Sequence, residues 1–335
     1  MTAPEPPQPG LEPPRKFSRI LKRAAKLGGI AIVTLVAAVT AASFSYNLAT
    51  DAPAPRPAHL LFARGGGWET RYLEWGTQGT PVVLVPGAFE TADTFAKLGP
   101  VLAKNHRVFA IDLSGTGYSA PNPPFSASHL AGQILAFLAA EHLTGQNTPV
   151  LVGHSAGAAD VGIAALQEPR AVRGIIFLDG DATPFPFPAF LGDLASTLFI
   201  NPYKTSVLRL AFSQDWLIEN TYNSLCGPTC PRLDEAGVNA WRWPLEQPGF
   251  QAELTYTMRH GITAMTTGQF TALKATDVPK LVVTGVGDPD ISHSDAALTA
   301  RRIGAPAPVF VPGLHLTMIA SPRQVAAAID SLSIR

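Results

Sequence analysis

Residues 149–166 read PVLVGHSAGAADVGIAAL, an apolar run that breaks on a serine and then becomes rich in alanine. The run before the serine is typical of a buried strand, and the segment after it is typical of a helix. Ser155 therefore lies in the tight turn between them, with Gly153 and Gly157 on either side. Because such a turn crowds its own backbone, two glycines relieve the crowding. The stretch predicts a strand, a sharp turn that raises the serine hydroxyl, and a helix.

The same alternation of strands and helices extends over most of the chain. Apolar runs typical of strands occur at 71–76, 81–87, 107–117, 149–155, 172–180, 280–288 and 307–315. Helical patterns lie between them, at about 92–104 and at 126–143, 156–169, 294–304 and 321–332. This order predicts an α/β fold with a mostly parallel sheet and helices on both faces. We expect its core to comprise residues 59–181 and 277–335.

The alternation stops between residues 182 and 276, where the sequence is aromatic, proline-rich and mostly helical in pattern. We interpret this segment as an inserted helical lid. Its stretches TPFPFPAFLGDLASTLFI (183–200) and AWRWPLEQPGF (240–250) suit an apolar acyl or aryl pocket, although a lid also needs aromatic residues simply to dock.

The N-terminal residues differ sharply from this core. Residues 1–26 form a basic, proline-rich stretch that we predict to be a disordered tail, and 49–58 form a proline-rich linker. Between them, 27–48 carry no charge and are long enough for a transmembrane helix. The six preceding bases place the tail in the cytoplasm and the C-terminal domain outside. A cleaved signal peptide, which would leave a secreted or periplasmic protein, and a buried soluble helix are the alternatives.

The composition of the chain bears on whether it binds nucleic acid. The 335 residues are 46% hydrophobic and 15% charged, and 25 bases balance 25 acids. A formal net charge of zero gives no support for nucleic-acid binding.

A serine in a strand-to-helix turn becomes a nucleophile only with a base and an orienting acid. Of the eight histidines, His315 follows the last predicted strand and so emerges at the same sheet edge as Ser155. Asp288 lies in a glycine-rich turn one strand earlier and is the favoured acid. Asp290 and Asp179 also follow strand ends and remain alternatives.

An oxyanion intermediate needs two N–H donors. The residue after the nucleophile, Ala156, supplies one. The loop after strand 81–87 supplies the other, from Ala88 or alternatively from Phe89, because Pro86 has no N–H. Phe89 and His154 are predicted to contact the substrate.

Five short segments together resemble the lid-bearing α/β-hydrolase superfamily, from about residue 60 to the end. They are VPGAF (85–89), DLSGTGYS (112–119), GHSAG (153–157), VGD (286–288) and GLH (313–315). Many members carry His-Gly where this chain has Pro86-Gly87. The resemblance implies hydrolysis of an ester, thioester, amide or carbon–carbon bond through an acyl-enzyme, by an esterase-like or lipase-like serine hydrolase with the triad Ser155, Asp288 and His315. No cofactor or metal is expected.

The two cysteines, Cys226 and Cys230, frame a Gly-Pro turn and suggest a small disulfide loop in an exported domain. A zinc site is not expected, because no neighbouring histidine completes one.

The sequence thus predicts a membrane-anchored serine hydrolase that cleaves an ester or thioester of a small to medium apolar molecule. Two alternatives remain open: a non-catalytic, membrane-anchored binding protein with the same fold, and a perhydrolase or acyltransferase with the same triad. The oligomeric state is not predicted.

Overall fold

The computed structural model describes residues 15–52, 54–185 and 199–333, together with Gly192 and Thr197. The predicted tail before Arg15, the linker residue Pro53 and most of the predicted apolar stretch 183–200 lie outside the described residues. The chain forms two compact units. One contains the residues up to Asp51 together with Asn201–Val207, and the other contains the rest of the chain.

The first unit is built on a long helix, α1 (Arg15–Ala49). Its Asn47 side chain donates to the carbonyl oxygen of Pro202 over 2.9 Å, and Thr40 Oγ1 lies 2.5 Å from the hydroxyl of Tyr203. The helix begins earlier than expected, so residues 15–26 are helical and not part of an irregular tail. No proline follows Pro14 there, and the residues are mostly Lys, Arg, Leu and Ala, which favour helix.

Within α1, residues Ile20–Ala49 are long and apolar enough to cross a membrane. Their large apolar side chains, such as Ile32, Val33 and Leu35, are exposed. A membrane anchor and a signal sequence share this length and composition.

The second unit contains an eight-stranded sheet in the order β1-β2-β4-β3-β5-β6-β7-β8. The strands are β1 (Leu61–Gly65), β2 (Trp68–Trp75), β3 (Val82–Val85), β4 (Val108–Ile111), β5 (Val150–His154), β6 (Gly174–Leu178), β7 (Lys280–Gly285) and β8 (Val309–Val311). The first two strands pair antiparallel, β2 is antiparallel to β4, and all other pairs are parallel. The prediction of a mostly parallel sheet is confirmed.

Helices cover both faces of this sheet. The remaining described α-helices are α2 (Gly99–Leu102), α3 (Ala127–Ala140), α4 (Gly157–Gln167), α5 (Tyr203–Phe212), α6 (Asp215–Cys226), α7 (Glu235–Arg242), α8 (Phe250–His260), α9 (Thr267–Lys274), α10 (His293–Ile303), α11 (Thr317–Ala320) and α12 (Pro322–Ser333). Alternate strand residues face two separate cores, because successive side chains of a strand point to opposite faces. Val83 and Leu151 pack with α3 and α4, whereas Leu84 and Val152 pack with α2 and α12.

The observed secondary structure differs from the predicted one at two places early in the second unit. The helix expected at 92–104 is a 3₁₀ turn, Ala92–Phe95, followed by the short α2, because Gly99-Pro100 interrupts the pattern. The strand β1 was not predicted. It forms a hairpin with β2 through Gly66 and Gly67, which both adopt positive φ.

The described part of the predicted lid is helical and contains α5 to α9. The last of these, α9, buries Phe270 and Leu273 in the core beside α4 and α10. This end of the insertion therefore packs as part of the hydrolase-like core. A lid function for the remainder stays a prediction.

Candidate active site

Ser155 lies in the sharp turn that joins β5 to α4. Its φ is +49°, a conformation that side-chain-bearing residues rarely adopt, and its backbone N–H donates to the carbonyl oxygen of Leu178 over 2.9 Å. Both flanking glycines are required. A Cβ on Gly153 would lie 2.2 Å from the carbonyl oxygen of Gly157, and a Cβ on Gly157 would lie 2.5 Å from that of Pro86. The turn therefore holds the hydroxyl at the carboxyl edge of the sheet.

His315 follows the end of β8 and Asp288 follows the end of β7, and both side chains lie close to this hydroxyl. His315 Nε2 lies 3.0 Å from Ser155 Oγ, and its Nδ1 lies 3.0 and 3.1 Å from the two carboxylate oxygens of Asp288. The Asp288 side chain is fully buried. One of its oxygens also accepts from the backbone N–H groups of Asp290 and Ile291, over 2.8 and 3.1 Å. The turn after β7 thus fixes the carboxylate, and the carboxylate fixes the imidazole.

The charge state of His315 depends on its acidic neighbours. Burial disfavours the imidazolium, but the hydrogen bond and the charge of Asp288 outweigh burial, and Asp179 and Glu90 add to them. Together they raise the pKa of His315 to about 9. The site therefore stabilises a proton on this imidazole strongly.

The two alternative acids lie elsewhere. Asp290 is half exposed, and one of its oxygens lies 3.8 Å from His315 Nε2, the nitrogen that faces the serine. Asp179 is fully buried and accepts from the backbone N–H groups of Gly285 and Thr317, over 2.8 and 3.2 Å. Burial raises the pKa of Asp179 to about 7. Neither carboxylate contacts His315 Nδ1, so Asp288 occupies the position of the orienting acid.

Asp288, Asp290 and His315 each offer one atom that could bind a metal ion, and these three atoms lie within 4.8 Å of one another. Both ring nitrogens of His315 already lie at hydrogen-bond distance from Asp288 and Ser155. The arrangement suits proton transfer from the serine better than metal ligation.

The loop after β3 passes directly over the serine. A Cβ on Gly87 would lie 2.8 Å from Ser155 Cβ, so only glycine allows this approach. Within the described part of the chain, the N–H groups of Ala88, Phe89 and Ala156 donate to no protein acceptor. Phe89 also adopts a positive φ of 63°. The loop and the start of α4 therefore offer unpaired donors on both sides of the hydroxyl, and Ala88 and Phe89 both remain candidates.

His154 does not lie where a substrate could reach it. Its side chain is fully buried, with Nδ1 2.6 Å from a carboxylate oxygen of Glu90 and Nε2 2.9 Å from the carbonyl oxygen of His315. The predicted substrate contact is therefore not made, because the elbow turns Ser155 outward and His154 inward. Glu90 was missed by the sequence analysis. The available signal was a carboxylate three residues after Gly87, directly after the apolar run 81–87.

A cavity of about 570 Å³ opens between the loop after β3 and the segment that contains Thr263. Phe89 lines it, as does Thr263, whose hydroxyl donates to the carbonyl oxygen of Ala156 over 3.3 Å. Ser155 itself is not part of the wall. Most of the other lining residues are apolar and include Phe125, Pro184, Phe185, Leu254, Tyr256 and Ile262. The cavity thus places an apolar space next to the loop after β3.

The backbone of His315 is held by the C-terminal end of α6. The carbonyl oxygen of Leu225 accepts from the N–H groups of His315 and Leu316, over 2.9 and 3.1 Å. The next residue, Cys226, is fully buried and forms a disulfide with Cys230. The disulfide therefore closes the turn immediately after the residue that anchors His315.

Comparison with known proteins identifies the family of the chain. The model of the alpha/beta hydrolase family matches residues 82–328 of the chain. The chain belongs to this family. A hydrolase of Metapseudomonas resinovorans, named 2-hydroxy-6-oxo-6-(2'-aminophenyl)hexa-2,4-dienoic acid hydrolase, is 34% identical over 111 residues, which are 32% of this chain and 37% of that protein. The alignments with curated relatives span less than half of the length of those proteins.

Solved structures share the fold over a longer range. A serine hydrolase involved in carbazole degradation has a TM-score of 0.66 and 21% identity, and the match covers 83% of this chain and 99% of that one. A bacterial membrane phospholipase A has a TM-score of 0.63 and 18% identity, with 95% and 96% covered. At these identities the likeness establishes the fold alone.

Proposed function

We propose that this hydrolase-family protein is a serine hydrolase that cleaves an apolar ester through an acyl-enzyme. The observation that carries the proposal is the continuous hydrogen-bonded line from Asp288 through His315 to Ser155, with distances of 3.0 Å on both sides of the imidazole. This is the arrangement that converts a weak serine hydroxyl into a nucleophile.

In the proposed reaction, Ser155 Oγ attacks the substrate carbonyl carbon and His315 Nε2 takes its proton. The negative charge that develops on the carbonyl oxygen is stabilised by the N–H of Ala156 and by that of Ala88 or Phe89. The intermediate collapses when His315 gives the proton to the leaving alcohol. Water then attacks the acyl-enzyme by the same steps, and Asp288 holds the imidazole in place throughout.

The substrate class rests on the cavity next to Phe89. Its volume of about 570 Å³ and its mostly apolar wall fit a small or medium acyl or aryl group. The relative named as a dienoic acid hydrolase acts on a molecule with an aromatic ring, which fits a similar space. We therefore place apolar esters first and include such a dienoate among the substrates to test.

For the location, we propose that α1 anchors the protein and that the hydrolase domain lies outside the cytoplasm. The basic residues Lys22, Arg23 and Lys26 precede the longest uncharged part of the helix, and the positive-inside rule directs such a flank to the cytoplasm.

A panel of p-nitrophenyl esters with acyl chains of increasing length, together with the dienoate, tests the proposal. We expect hydrolysis of at least one ester, with its rate falling as the chain outgrows the cavity, and we expect Ser155→Ala to abolish it. If the wild type cleaves no member, or if Ser155→Ala cleaves as fast as the wild type, the proposal is wrong. A wild type that cleaves no ester would leave the non-catalytic binding protein as the better explanation, whereas an active Ser155→Ala variant would mean that another residue is the nucleophile.

A further inference from the structure

The buried pair formed by Glu90 and His154 connects the two loops that the proposed reaction needs. Glu90 lies in the loop after β3, and one of its carboxylate oxygens accepts from the N–H of Gly87 over 3.0 Å. The same oxygen lies 2.6 Å from His154 Nδ1. On its other side, His154 Nε2 lies 2.9 Å from the carbonyl oxygen of His315. A single line of contacts therefore runs from Gly87 through Glu90 and His154 to the backbone of His315.

The hydrogen positions on this line follow from the partners. A carbonyl oxygen can only accept, so Nε2 of His154 carries a hydrogen and donates to His315. Burial alone would raise the pKa of Glu90, but the charge and the hydrogen bond of His154 hold that pKa below its ordinary value. Glu90 is therefore a carboxylate that accepts from both Gly87 and His154 Nδ1.

We propose that Glu90 and His154 are positioning residues, which fix the loop after β3 and the loop of His315 relative to each other. This inference rests on the proposed serine hydrolase function. Both side chains are too deeply buried to meet a substrate, with exposed fractions of 9% and 0%. They act through Gly87 and His315, whose placement sets the geometry around Ser155.

A neutral amide cannot replace the carboxylate in this arrangement. One oxygen of Glu90 receives two donors, Gly87 N–H and His154 Nδ1–H. A glutamine that places its oxygen there offers a neutral and weaker acceptor than the carboxylate, and one that places its NH₂ group there opposes the N–H of Gly87. Glu90→Gln therefore loosens one of the two loops whichever way the amide turns.

The chain offers a matched control on another part of the sheet. His106 is also buried, its Nε2 lies 2.7 Å from a carboxylate oxygen of Asp330, and its Nδ1 lies 3.0 Å from the carbonyl oxygen of Thr80. This pair makes the same kind of hydrogen bonds as Glu90 and His154, but it joins residues before β3 and β4 to α12.

The test uses the full-length protein in detergent and the ester that the wild type cleaves fastest. His154→Asn keeps an amide donor where Nδ1 meets Glu90 and removes the donor to His315, whereas His154→Gln does the reverse. Active sites are titrated with a fluorophosphonate, so that kcat refers to folded, reactive molecules only. Melting temperatures are recorded for these variants, for Glu90→Gln, and for the controls His106→Asn and Asp330→Asn.

We expect His154→Asn and Glu90→Gln to lower kcat about 10²-fold with little change in KM, because they displace catalytic groups and leave the cavity intact. The controls should lower the melting temperature without changing kcat.

The proposal is overturned if His154→Asn and Glu90→Gln keep the wild-type kcat per titrated site, or if the controls lower kcat equally. It is also overturned if the Glu90 and His154 variants do not fold at all while the controls do, since the pair would then be purely structural. A Ser155→Ala protein that still cleaves the ester would instead contradict the proposed function.

Discussion

Among the single residues, the proposed reaction depends on which carboxylate contacts His315 at Nδ1. Asp288 contacts the nitrogen that faces away from the serine, whereas Asp290 approaches Nε2 only to 3.8 Å and Asp179 is bound to Gly285 and Thr317. An orienting acid fixes the tautomer and stabilises the imidazolium, which requires contact at Nδ1.

We therefore expect Asp288→Asn to reduce kcat strongly and Asp290→Asn and Asp179→Asn to reduce it much less. Ser155→Ala and His315→Ala should each cost several orders of magnitude, about 10⁴-fold or more, and the double variant little more, because triad members act as one unit. Steady-state kinetics of the single and double variants check this. An inactive Asp290→Asn beside an active Asp288→Asn would show that the acid is misassigned.

A second prediction at this scale concerns pH. His315 must be neutral to accept the serine proton, and its neighbours raise its pKa to about 9 in the free enzyme. The acidic limb of the kcat/KM profile should therefore lie above pH 7, with the rate rising towards pH 9. Asp288→Asn removes the main cause of the shift, so the limb should move to lower pH while the maximum falls. A limb near pH 6.5 in the wild type, the ordinary range of histidine, would contradict the assignment of these charges.

At the scale of secondary-structure elements, the end of α6 is tied to the catalytic loop. The carbonyl oxygen of Leu225 holds the N–H of His315, and the disulfide between Cys226 and Cys230 closes the turn that follows. The loop is short, so chain entropy predicts only about 2 kcal/mol of stabilisation.

We expect the double substitution of both cysteines by serine to lower the melting temperature by several degrees and to reduce kcat severalfold, because the end of α6 loosens beside His315. Calorimetry and ester kinetics measure the two effects, with dithiothreitol-treated wild type as the parallel case. A lower melting temperature with an unchanged kcat would mean that Leu225 holds His315 without help from the disulfide.

Much of the fold was predictable at this scale because strand ends of a parallel sheet meet at one edge. That rule, together with the apolar runs, placed Ser155, Asp288 and His315 at the carboxyl ends of β5, β7 and β8. It could not reveal β1, which is a short strand recognisable only beside β2. It also could not assign His154, because whether an elbow side chain points inward depends on the partner, Glu90, that the fold brings to it.

At the scale of the whole molecule, the motifs and the long apolar helix occupy different parts of the chain. The family match begins at residue 82, and α1 ends at Ala49. The groups of the proposed reaction all lie within the family match.

We predict that a shortened protein beginning at Ala58 is soluble and cleaves soluble esters at a rate close to that of the full-length protein. The full-length protein should fractionate with membranes at its intact mass, since α1 is long enough to span a bilayer. Fractionation, intact-mass measurement and N-terminal sequencing decide this. A mature N-terminus near Ala42 would replace the anchor with a cleaved signal peptide.

The most direct test of the central claim is to locate the nucleophile by mass spectrometry after reaction with a fluorophosphonate. An activated serine attacks the phosphorus and displaces fluoride, its proton passes to the histidine, and the serine remains covalently phosphonylated. The account predicts a single adduct on the peptide that contains Ser155, absent from Ser155→Ala and strongly reduced in His315→Ala. A wild-type protein that takes up no label, or takes it up at another residue, would contradict the account.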